Sequence, residues 1–189
     1  MISAVRDLIY GVRGVFRMLA FRPGWQSDFD ISSGGIVRSF AGIVFALPAF
    51  LLLIAGVNFF AASNPQLGAS GVSVLEAVLI WARFWLVFPI MAVLVCLVLR
   101  LSDRYGGWLV VHNWTIFVLI HVQALIWTLN TAGLGNLNSL AFLTEFYLLA
   151  RLVIHWRVAT AALGVSPALG AAAAGIPLIV DWILLRMIQ

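Results

Sequence analysis

Five long apolar runs, joined by connections too short to hold a folded domain, constrain this chain more than any other feature. Hydrocarbon offers backbone amides no water to bond with. A segment that crosses it must satisfy its own N–H and C=O groups, as a helix of about 20 mostly apolar residues does. The runs cover residues 39–60, 74–99, 109–129, 137–155 and 167–188, which predicts five transmembrane helices over those spans. Of the 189 residues 63% are hydrophobic and 10% charged, with a mean hydropathy of +1.09, too few polar groups to coat a particle in water. The expected fold is all-α: a polytopic bundle of five transmembrane helices plus an N-terminal amphipathic helix, with residues 1–35 as a cytoplasmic segment and hinge and 36–189 as the membrane domain.

The connections carry turn chemistry. Ser63, Asn64 and Pro65 serve the first, Ser102, Asp103, Gly106 and Gly107 the second, and Gly133, Gly135 and Asn136 the third. In the fourth, Ser166 reads as a helix N-cap and Pro167 as the first helical residue. Pro48, Pro89 and Pro177 fall inside predicted helices, where a missing amide bond permits a kink.

Every basic residue is arginine, and the formal net charge is +4. Positive residues beside membrane helices are retained in the cytoplasm. Arg6, Arg13, Arg17, Arg22 and Arg38 precede the first run, Arg100 and Arg104 follow the second, and Arg151 and Arg157 flank the fourth connection; only Arg186 lies on the other side. The expectation is a cytoplasmic N-terminus and a C-terminus across the membrane. The arginine usage and the Ala and Gly richness suggest a bacterial inner-membrane protein. Trp25, Trp108, Trp114 and Trp156 map to the cytoplasmic headgroup level, Trp127 and Trp182 to the opposite one, as aromatic belts would.

Residues 2–20 place Arg6, Arg13 and Arg17 on one narrow helical arc and Val5, Ile9, Val12, Phe16 and Leu19 on a separate broad face. This predicts an interfacial helix whose Arg6, Arg13 and Arg17, with Arg22, meet anionic lipid headgroups. The competing expectation is a cytoplasmic cap packed on the bundle, and Gly11 and Gly14 weaken either helix. No signal-peptide pattern precedes the first run, so the N-terminus is expected to be retained.

Charged groups at bilayer depth mark candidate sites, because each costs several kcal/mol unless paired or hydrated. Counting about 1.5 Å per residue brings Arg83, His121, Glu145 and Asp181 to similar heights on four helices. Converging faces would let Glu145 or Asp181 neutralise Arg83, with His121 and Gln123 supplying hydrogen bonds and Glu76 sharing the charge further out. Such a cluster is either a packing device or a proton or solute path. Gly170, Ala171–Ala174 and Gly175 make one smooth helical stretch that predicts close packing, within the chain or across a homo-oligomer.

Several functions are disfavoured. The arginines form no extended basic tract, which argues against nucleic-acid binding. Cys96 stands alone, so no intramolecular disulfide is available and the residue reads as a small core hydrophobe. His112 and His155 stand at matching helix ends, but no histidines recur at ligand spacing, so no metal and no cofactor is expected; His112, beside Asn113 and Trp114, reads as a headgroup-level residue. Catalytic motifs are absent, and Ser32, Ser33, Gly34 and Gly35 read as a helix cap or hinge before a phosphate loop.

An amphipathic N-terminal segment, then a polar hinge with Phe29, Asp30, Ser32, Gly35, Arg38, Ser39 and Phe40, then five helices, resembles the bacterial Yip1-like membrane proteins. The resemblance implies five helices and a cytoplasmic N-terminus, and its eukaryotic members are linked to membrane trafficking and shaping; it implies no particular functional residue. Short loops, no catalytic constellation and a lipid-facing N-terminal helix make the function expected first a non-enzymatic scaffold for membrane or partner subunits. A small solute or proton transporter or channel component using the Arg/His/Glu/Asp cluster is second, and an intramembrane enzyme or haem-binding subunit third.

Overall fold

The computed structural model describes residues 2–68 and 70–188; Met1 and Gln189, the outer limits of the two predicted segments, and Ala69 lie outside them. The described residues form helices α1 (Ile2–Leu19), α2 (Ser33–Ser39), α3 (Gly42–Ser63), α4 (Val74–Leu99), α5 (Tyr105–Thr131), α6 (Leu137–Leu163) and α7 (Pro167–Ile188), with one-turn 3-10 helices between some of them and no strand. Five stretches are long and apolar enough to cross a membrane: Ser33–Ser63, Val74–Leu99, Ser102–Thr131, Leu137–Leu163 and Pro167–Ile188.

The helices outrun the apolar runs. The fourth continues to Leu163 through His155, Trp156 and Arg157, because a polar side chain ends an apolar pattern without breaking a backbone ladder. Its actual stop is Gly164 in the left-handed region at φ 60°, and the α6 C-terminus also receives a hydrogen bond from Arg104 Nη1 to the Leu163 carbonyl at 3.0 Å. Ser166 Oγ then accepts from the Leu169 N–H at 3.3 Å, beginning α7 as its N-cap role predicts. Ser73 with Glu76 and Asn136 with Ser139 form reciprocal capping boxes at the starts of α4 and α6. Glu76 is thus occupied by the Ser73 N–H, at 2.6 Å, and is not the expected partner of Arg83.

Helix α5 is the axis of the molecule, packed by α1, α2, α3, α4 and α6. Residues 108–116 of α5 are buried without interruption, which an amphipathic helix at a surface could not be. This corrects the expected headgroup-level layer: Trp108, His112, Asn113 and Trp114 are 1–4% exposed, and Trp25 is buried with them. A linear estimate of depth cannot see that the N-terminal segment folds back over this half of α5.

That fold-back is made possible by small residues. Gly11 and Gly14 of α1 face Trp114 and Phe29, where an added Cβ would come within 2.5 Å of a ring carbon. The glycines that weaken α1 as an isolated helix let it approach the bundle. Val15 and Met18 are fully buried beside them, while Val5, Ile9 and Phe16 of the predicted apolar face remain exposed. The face that docks is therefore a second one, and α1 is packed on the bundle.

Ionic contacts hold the layer. Asp28, buried in the turn after α1, accepts from Arg13 and, at 2.9 Å, from Arg17 Nη1; the hydrogen bond that Arg13 donates to Asp28 holds its guanidinium above its ordinary pKa. Arg38 reaches both Asp7 and Asp30 at 2.5 Å. Ser32 caps α2 by accepting from the Gly35 N–H at 3.1 Å, and the Ser32 hydroxyl and N–H hold the Asp30 carboxyl below its ordinary range. The polar hinge is a latch in which nearly every side chain has a partner.

On the other side of α5, Gly56 of α3 sits against Trp127 and Gly42 against Trp85 of α4. Gly170 of α7 lies against Thr160 of α6, and Ala173 and Ala174 are buried, so part of the smooth α7 stretch is consumed within the chain. Cys96 is buried as a core residue.

Candidate functional site: a charged centre between three helices

Three helices each contribute one charge to the same point. Arg83 of α4 pairs with Asp181 of α7, and Arg151 of α6 pairs with the other carboxylate oxygen of Asp181, Nη2 to Oδ2 at 2.7 Å. Arg83 Nη1 also reaches the Asp181 carbonyl at 3.3 Å, so it engages backbone and side chain of one residue. Arg83 is only 6% exposed. At about 1.5 Å per residue, Arg83 is ~14 Å from the Val74 end of α4, Arg151 ~18 Å from the Leu163 end of α6 and Asp181 ~21 Å from the Pro167 end of α7. Each stands well inside its span.

Of these three charges the sequence brings Arg83 and Asp181 together and leaves Arg151 out. The end of the apolar run places Arg151 beside the fourth connection; the longer α6 puts it mid-helix instead, which leaves Arg157 as the α6 arginine near that connection. The recoverable signal was the unbroken helix-forming sequence through Arg157, with no Gly or Pro before Gly164.

The other predicted members lie elsewhere. His121 is exposed on α5, its Nδ1 2.8 Å from the Phe117 carbonyl. Gln123 is half-buried and Glu145 exposed on α6. Similar height does not imply the same face: only residues whose angular position also points to the α4–α6–α7 junction converge.

Two histidines complete the centre. His112 of α5 and His155 of α6 are 4% and 5% exposed, with ring centroids 5.3 Å apart. Phe88 of α4 stacks face to face on His112 at 3.3 Å, and His155 Nδ1 lies 2.8 Å from the Arg151 carbonyl, one turn back. The headgroup-level position expected of His112 is therefore replaced by a buried one. Among the described residues no three His, Cys, Asp or Glu side chains converge as metal ligands do. Between the rings and the ion pairs lies a cavity of about 20 Å³, lined by Arg83, Phe88, His112, Arg151, His155 and Asp181 among others. Of these lining residues, Arg83 at Nε and His112 at Nδ1 are buried without a hydrogen-bond partner.

The proposed lipid-contact arginines divide. Arg6 and Arg22 are exposed, whereas Arg13 and Arg17 are engaged by Asp28 and Arg17 also donates to the Pro23 carbonyl at 2.8 Å.

A second polar residue within a span faces outward. Glu145 is exposed on α6 among Phe142, Phe146, Leu149 and Leu152, which are 65%, 62%, 64% and 52% exposed. Comparison with known proteins returned no matching family model, no matching curated protein and no matching solved structure.

Proposed function

We propose that this chain is a non-enzymatic, multi-pass membrane subunit that organises a complex by presenting the exposed face of α6 to a partner helix. The observation that carries the proposal is Glu145. About 12 Å from the Leu137 end of α6, its carboxylate points away from the protein amid large apolar side chains. Facing lipid alone it would cost several kcal/mol, a cost removed by a donor or cation on a neighbouring helix. Helix α6 is also the least enclosed of the five spans, with 11% of its most apolar window buried.

The orientation proposed has the N-terminus in the cytoplasm. It is supported by Arg38, Arg104 and Arg157 gathering at the end of the bundle that α1 and α2 cover, Arg157 Nε reaching the Met18 carbonyl at 3.3 Å. Helix α1 would lie at the membrane boundary with Val5, Ile9, Phe16 and Phe21 toward acyl chains and Arg6 and Arg22 toward anionic phosphates. An N-terminal helical segment followed by five apolar spans also favours the Yip1-like reading, with membrane organisation as its role.

A photo-crosslinker placed at Leu149 in native membranes tests the assembly. The expected result is one discrete cross-linked species, lost when Glu145→Arg is added while the detergent melting temperature is unchanged. A smear of products, or a discrete one indifferent to the charge at position 145, would refute it.

A transporter reading is favoured by one observation, the charged centre between α4, α6 and α7. Proton uptake into vesicles holding the reconstituted chain, abolished by Asp181→Asn in a folded variant, would distinguish it from a scaffold.

A further inference from the structure

The charged centre does not balance. Arg83 and Arg151 bring two positive charges and Asp181 one negative, and Glu145, the acid expected to complete the set, faces outward on another side of α6. With both imidazoles neutral one positive charge is left over; protonating either would only enlarge the surplus. A surplus charge at this depth is costly unless something of opposite sign sits beside it.

The polar atoms without partners point to what that something is. Arg83 Nε carries a proton that it cannot lose, so it can only donate. His112 Nδ1 is likewise buried and unpartnered, and in the Nδ1–H tautomer it also donates. Both residues line the same 20 Å³ cavity, along with Arg151. A cavity of that size holds about one water molecule or a monatomic anion of similar bulk. Water would satisfy the two nitrogens and leave the charge. A monovalent anion satisfies both.

We propose that the cavity between Arg83, His112 and Arg151 is a binding site for a small monovalent anion of the halide class. The ring of Phe88, stacked on His112, closes one wall with an apolar face, which excludes bulk water and strengthens the anion's contacts. Arg151 and Asp181 also border an open apolar groove between α6 and α7, lined further by Leu148, Leu152 and Trp182. The inference stands apart from the assembly reading: it concerns the interior of the bundle, and its test makes no use of Glu145.

The test is a melting series on the purified full chain in detergent, with chloride or bromide exchanged for gluconate at constant ionic strength and pH. Anything that binds only the folded state raises the melting temperature saturably. A rise of about 3 °C is expected with either halide and none with gluconate, which is too large for the cavity. Arg151→Gln keeps a donor for Asp181 but removes the surplus charge, and should melt cooperatively with the halide response lost. His112→Phe removes one donor and should lose it too, which keeps the test usable if Arg151→Gln does not fold. In parallel, the chlorine-35 line of wild-type protein should broaden in chloride and sharpen when bromide displaces it. Equal melting of the wild type in chloride and gluconate, a halide response surviving in the folded variants, or a chlorine line unaffected by the protein would each overturn the site.

Discussion

Asn113 Nδ2 of α5 donates to Ser39 Oγ of α2 at 2.9 Å, a buried hydrogen bond that ties the N-terminal latch to the central helix. Ser39 passes it on, donating to the Ile36 carbonyl at 2.7 Å. Because both residues are 1–2% exposed, neither has water to fall back on. Ser39→Ala should cost about 1–3 kcal/mol in a denaturant titration by stranding the Asn113 amide, and adding Asn113→Leu should recover part of that loss. Equal or additive losses would show the hydrogen bond to be energetically idle.

The charged centre predicts an asymmetry between acids. Asp181→Asn leaves the buried Arg83 and the partly buried Arg151 without their carboxylate and should cost about 3–5 kcal/mol, read as a large fall in detergent melting temperature. Glu145→Gln, on an exposed face, should leave the isolated chain's melting temperature nearly unchanged. Reversal of that order would mean that the buried pairing carries less of the fold than its position implies.

Two glycine-to-alanine changes should have opposite signs. At Gly175 an added Cβ meets nothing within 4 Å, so alanine should stabilise α7 by about 0.5–1 kcal/mol through helix propensity. At Gly14 the same atom would come within 2.5 Å of Phe29 Cε2, and the steric cost should outweigh the propensity gain, lowering the melting temperature. A stabilising Gly14→Ala would place α1 off the bundle.

Asp28 should control whether α1 stays docked. Its carboxylate is fully buried and bonded to both Arg13 and Arg17. Asp28→Asn should therefore accelerate tryptic cleavage after Arg13 and Arg17 while the five-span domain stays intact. Unaltered cleavage kinetics would show that Val15 and Met18 hold the helix without the ionic latch.

Acid should loosen the start of α2 later than it loosens an ordinary carboxylate contact. The Asp30 carboxyl is held below its usual pKa mainly by the Ser32 hydroxyl and N–H. A depressed folded-state value means the contribution is present above the unfolded pKa of about 3.9 and disappears as pH falls through the lower folded one. Hydrogen exchange at the Gly35 amide should stay slow to below pH ~3.9 in the wild type and be fast throughout in Asp30→Asn. Wild-type protection lost at pH ~5 would contradict that sign.

Much of the molecule was legible without coordinates, and the reason is one of scale. Hydrocarbon imposes its length and polarity on every spanning segment, so five helices, their turn residues, Ser166 and Pro167 at the start of α7 and the capping Ser32 all follow from local pattern. Angular placement does not follow, because it depends on which faces of neighbouring helices meet. That is why Arg83 and Asp181 could be matched by height while His121 and Glu145, at similar height, point elsewhere. It is also why His112, Asn113 and Trp114 looked interfacial. Only the fold-back of α1 and α2, allowed by Gly11 and Gly14 and fixed by Asp28 and Arg38, put protein where lipid headgroups had been expected. The solvent determined the elements, and the contacts among side chains distant in sequence decided which charges would share an interior.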